Sequence, residues 1–311
     1  MRTGKPDPKT QIGKPLGWIS KPAWCWTAWP GYQSQGSGCC ARHPKQAEVY
    51  AMSVSDRDRE DLRRARTLLE NPGLAVKLTN LIGAPIEKGF ELLPAAWSEG
   101  VTAATRKALD RALRLAVATL DDRRPTPSSS NTLHKIVVGA TGAGAGAFGL
   151  AALPIELPIA TTVMLRSIAD VARSEGEHIK AIQTQLACLE VFALGGRSKG
   201  DDAAETGYFA VRAALARAVS EAAQFITERG LVQEGAPVIA RLIGQIAARF
   251  GIVVSEKASA QAVPILGAVG GASINLLFID HFQDMARGHF VIRRLERAHG
   301  PEKVRLEYDR L

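Results

Sequence analysis

From residue 56 onward, apolar positions recur every three or four residues, and no stretch alternates apolar and polar positions as a half-buried strand would. Asp56–Glu70 is charged, with apolar beats at Leu62, Ala65, Leu68 and Leu69 that share one helical face. Pro72 and Gly73 interrupt it. Leu74–Leu93 repeats the period with Val76, Leu78, Leu81, Ile82, Ile86 and Phe90. Pro94 suits the first turn of a further helix, Trp97–Leu120. Residues 123–131 (RRPTPSSSN) have loop composition. Leu133–Leu153 is helical and built from small residues. Pro154 and Pro158 bracket Ile155–Leu157 and predict a kink or break. Ile159–Arg173 resumes the helix, and Gly176 ends it. His178–Leu194 follows, closed by Gly195 and Gly196. Lys199–Glu205 is a charged loop or helix start, and Tyr208–Arg229 is a helix ended by Gly230. Ala236–Phe250 and a short Glu256–Ala262 helix come next. A long helix then runs from Pro264, with a bend, through Arg297, and Gly300–Pro301 ends it. Val304–Leu311 forms a short tail element. The expectation is an all-α fold: a single multi-helix domain with long, small-residue-rich central and C-terminal helices.

Two segments stand apart because they carry no charge. Ile136–Ile155 and Ala258–Ile279 are twenty and twenty-two residues long, enough to cross a bilayer, which takes roughly 20 residues. Glycine and alanine make up much of each, however, so their apolar area per residue is modest. Ser259, Gln261, Ser273 and Asn275 add polarity to the second. This composition favours tightly packed core helices, with interfacial or conditional insertion and true spanning as the alternatives. Gly142 and Gly146 form a G-x-x-x-G pair of the kind that lets helices approach closely. The glycines from Gly139 to Gly149 do not make the phosphate loop G-x-G-x-x-G, and no strand precedes them.

The charge is uneven. Of the net +8, residues 1–51 carry +5, so the body is nearly neutral. The arginine runs Arg63, Arg64, Arg66 and Arg293, Arg294, Arg297 are interspersed with Asp and Glu. Both facts argue against nucleic-acid binding. A slight positive excess suits an anionic membrane surface. Cys25, Cys39 and Cys40, with Trp18, Trp24, Trp26 and Trp29, also fall in the first 51 residues. That region reads as a disordered arm, or as sequence translated upstream of a natural start at Met52. The body, residues 52–311, reads as one helical domain. The three N-terminal cysteines lack C-x₂₋₄-C ligand spacing. A body with Cys188 as its one cysteine fits a reducing compartment.

Chemistry, if there is any, rests on a few polar residues in apolar surroundings. Glu156 sits between two prolines and needs a partner or a proton once buried; Arg166 is the candidate partner. Glu190 lies among Leu186, Leu189, Phe192 and Ala193, either facing a polar seam opposite Arg166 or His281 or on an exposed helix edge. Asp280, Asp284 and Arg287 share one helical face, and His281 and His289 share a neighbouring stripe. Glu156, Glu190, Asp280 and His281 are the catalytic candidates, for a hydrolase or a metal-dependent enzyme if their helices converge. Arg166, Asn275, Asp284, Arg287 and His289 are the structural or partner-contact candidates, stitching the last long helix to Arg166 and Glu190. No G-x-S-x-G marks a nucleophilic serine. The residues specify no metal, no cofactor and no small-molecule ligand.

Three stretches carry a family resemblance: LPIELPIATTVMLRSIADVARSEGE (Leu153–Glu177), ACLEVFALGG (Ala187–Gly196) and VPILGAVGGASINLLFIDHFQDMARGHFVIRRLERAHG (Val263–Gly300). In proper order, and over about residues 56–309, they resemble the EcsC protein family, named for a bacterial protein encoded beside an ABC transporter. The resemblance implies a bacterial helical protein, cytoplasmic or peripheral to the membrane, and no catalytic mechanism. The resulting expectation is a noncatalytic helical protein acting at the membrane surface or on a membrane protein complex such as a transporter. It would sit in the cytoplasm, peripheral to or conditionally inserted in the inner membrane. The alternative is an enzyme using the buried carboxylate and histidine groups.

Overall fold

The computed structural model of the protein describes residues 55–70, 73–83, 87–91, 93, 97–119, 153–196, 207–230, 236–262 and 267–311. The chain divides into Met1–Met52 and Ser53–Leu311, and every described residue belongs to the second unit. The N-terminal arm with its three cysteines, the 123–131 loop, the Gly139–Gly149 glycines and the Lys199–Glu205 stretch lie outside the described residues. Among the described residues there are ten helices and no strand. They are α1 (Asp56–Glu70), α2 (Leu74–Ile82), α3 (Glu87–Glu91), α4 (Trp97–Thr119) and α5 (Leu153–Ser174). The remainder are α6 (Ile182–Leu194), α7 (Tyr208–Arg229), α8 (Pro237–Ala262), α9 (Gly267–His299) and α10 (Pro301–Arg310).

Local chemistry sets most of the boundaries. Ser55 caps α1: its hydroxyl accepts from the Asp58 backbone N–H (3.1 Å) and donates to the Asp58 carboxylate (2.8 Å). Asp56 and Asp58 also place negative charge at the positive end of the helix dipole. The single helix expected over Leu74–Leu93 is two, because Gly83 adopts a left-handed φ of 68° and closes α2 with a bond from its N–H to the Thr79 carbonyl. The break expected at Pro154–Pro158 does not occur. Pro158 falls in the second turn of α5, where its missing N–H forfeits one helical bond, and α5 runs on unbroken. Conversely, α8 is one helix of 26 residues instead of the two expected. Gly251 leaves the helix uninterrupted, since Phe250, Val253 and Val254 around it are fully buried.

Helix α6 is the centre of the bundle. Ten consecutive residues, Thr184 to Ala193, are buried, and α4, α5, α7, α8 and α9 all pack on it. A helix buried on every side by its neighbours is a core element. Its C-terminal end is pinched between two neighbours. A Cβ on Gly196 would fall 2.3 Å from the Arg249 carbonyl oxygen of α8, and one on Gly195 would fall 2.7 Å from the Phe282 ring of α9. Next to this pinch, Phe192, Phe250, Phe278 and Phe282 stack with ring centroids 4.9 to 6.1 Å apart. A second, smaller core gathers Leu62, Ala65, Tyr208, Ile292, Leu295, Val304 and Tyr308 from α1, α7, α9 and α10. Helix α9 has 33 residues, about 50 Å at 1.5 Å per residue, and links the two.

The uncharged segment Ala258–Ile279 is not one helix: its beginning closes α8 and its later part opens α9. Residues 136–152 of the other uncharged segment lie outside the described residues. Among the described residues, the helix long and apolar enough to cross a membrane is α8, with a mean hydropathy of 1.6 over its most apolar stretch.

Candidate functional site

One turn of α8, Glu256 to Ser259, receives four other helices. Lys257 is completely buried, and its Nζ donates to Glu156 Oε1 of α5 at 2.5 Å. The same nitrogen lies 4.8 Å from the centroid of the Phe278 ring of α9. Burial pushes the Lys257 ammonium below its usual pKa, and the Glu156 carboxylate opposes that shift. Two residues on, Ser259 is covered by α3: a Cβ on Gly89 would fall 2.1 Å from the Ser259 carbonyl oxygen, so only glycine permits this approach. One residue before Lys257, the Glu256 carboxylate accepts from the backbone N–H of Ala75, one of the unpaired donors at the start of α2. Burial raises Glu256 to about 7, against that bond. Sequence reasoning passed over Lys257. It is the one Lys or Arg between Arg249 and Arg287, in a stretch as apolar as the one holding Glu156. A carboxylate in one apolar run and a lysine in another were the available signal.

A second polar cluster joins α6, α7 and α9. Arg212 of α7 makes a two-pronged pair with Glu296 of α9, at 2.7 and 3.0 Å. It also donates to the Tyr208 hydroxyl at 3.2 Å. The phenol proton is therefore free for His289 Nδ1, 2.9 Å away. His289 is then the tautomer with its proton on Nε2, and that nitrogen has no partner among the described residues. Burial holds the His289 pKa well below the usual imidazole range, and Arg212 and Arg293 add to the effect. Glu190 of α6 stands in the same field. Its burial pushes it up to about 7; Arg212 and Arg293 draw it back, and Glu296 adds to the rise. Arg293 is itself held by Glu177, at 2.8 and 3.3 Å.

These placements correct the partners expected from sequence. Arg166 is exposed on α5 and is not the partner of Glu156; Lys257 is. Its helical position turns it to solvent while Ser167 and Ile168 turn inward. Glu190 faces Arg212 and Arg293, not Arg166 or His281. His281 donates its Nε2 proton to the Gly195 carbonyl at 2.9 Å, fastening α9 to the end of α6. His289 is bound to Tyr208. Asp284 pairs with Arg287 at 3.0 Å and with Lys77 of α2 at 3.5 Å, so it stitches α9 to α2. Asn275 is fully buried on α9, one turn before Phe278, and Asp280 is half-buried beside His281.

The four catalytic candidates are therefore not gathered. Glu156 belongs with Lys257 and Phe278, and Glu190 with Arg293. Phe278 and Arg293 are fifteen residues apart on α9, about 22 Å along a helix. No group of three or more His, Cys, Asp or Glu among the described residues is placed to hold a metal ion. The buried groups have the chemistry of helix fasteners: opposite charges in direct contact, and a histidine kept neutral.

Compared with known proteins, the chain is matched over residues 57–295 by the model of one family, described as the EcsC protein family. No curated protein and no solved structure matches it.

Proposed function

Because the chain belongs to the EcsC protein family, we propose that it works without catalysis, at a membrane surface or on a membrane protein complex such as a transporter. The observation that carries this reading is the uneven distribution of charge along the bundle. Gly267–Ile279 of α9 has no charged residue, and Leu153–Leu165 of α5 has Glu156 alone, which is buried against Lys257. In the same part of the molecule lies the C-terminal half of α8, the most apolar long helix described. Two further facts favour the reading over an enzyme. Glu156, His281 and His289 each contact a named neighbour. Two of the carboxylates that hydrolysis would require, Glu156 of α5 and Glu190 of α6, stand in separate clusters, against Phe278 and Arg293 of α9.

The test is fractionation of the cells that make the protein, using the full chain, followed by in-cell cross-linking. The expected result is co-sedimentation with membranes, or a cross-link to a membrane protein. Recovery wholly in the supernatant, with no membrane protein cross-linked, would overturn the proposal.

A further inference from the structure

We draw no further inference here: the strongest candidate, the buried side-chain cluster of Glu190, Tyr208, Arg212 and His289 between α6, α7 and α9, belongs to the site already described, and nothing among the described residues shows what group would meet the unpartnered His289 Nε2.

Discussion

The two poles of this helical body are fastened by opposite means. Around the Glu256–Ser259 turn, helices meet through glycine, short side chains and one buried ion pair. At the other pole, arginines of α9 reach out to several carboxylates at once. Arg294 holds both Glu175 and Asp61, each at 2.8 Å, while Arg293 and Arg297 converge on Glu177. Arg297 also donates to the Glu175 carbonyl. The second arrangement is redundant and partly open to water, so each contact contributes little and has a substitute. The first has one ion pair, buried from solvent, so each charged partner depends on the other. A nearly neutral sequence can hide this difference, because net charge records neither pairing nor burial.

The sharpest way to break the comparison is to remove one member of the buried pair. Lys257→Met leaves Glu156 buried without its partner and should cost about 3–5 kcal/mol in denaturant unfolding. Lys257→Met with Glu156→Leu removes both charges and should recover most of that loss. If the double variant is as unstable as the single, the ion pair is not what joins α5 to α8.

Next in size is a pH effect. Glu190 is raised from 4.5 to about 7 in the folded protein, so between those values the folded state binds more protons than the unfolded chain. Its favourable contribution is complete below pH 4.5 and is lost as pH rises through 7, on the order of 3 kcal/mol. Glu256, raised likewise, adds in the same direction. Asp58 and Glu177, held below their usual values, act with the opposite sign in more acid solution. His289, kept neutral by burial, acts with the opposite sign inside this window and offsets part of the two glutamates' effect. Stability measured across pH 4.5 to 7 should therefore decline, and Glu190→Gln should flatten the decline. An unchanged slope in that variant would remove Glu190 from the account.

The smallest effect is expected at the charged pole. Arg297 is partly exposed and Glu177 keeps Arg293, so Arg297→Ala should change stability by less than about 1 kcal/mol. A loss as large as that of Lys257→Met would erase the distinction between the poles.

The helices were largely legible in the sequence because helical periodicity is local. Asp56–Glu70 and Tyr208–Arg229 have the expected bounds. Errors fell where a local signal was overruled by packing or by backbone conformation. Gly251 continues a helix because its neighbours are buried, Pro158 costs α5 one hydrogen bond without ending it, and Gly83 ends a helix by turning left-handed. The choice of ionic partners was not legible. Glu156 finds Lys257 across 101 positions, and nothing in the spacing near Glu156 prefers that residue to Arg166, which is nearer in the chain. Partner choice is decided by which helix faces turn inward, and that depends on the whole bundle.

Helix α6 has one more consequence, for what happens when the bundle opens. Ile182–Leu194 carries Glu190 as its one charge, and its ten consecutive buried residues leave it no side suited to water. A helix with a polar face can tolerate the loss of its neighbours for a while. This one cannot, so any opening that bares it also bares a segment ready to adhere to its copies on other molecules. How often such a segment is bared depends on how rarely α4, α5, α7, α8 and α9 part from around α6.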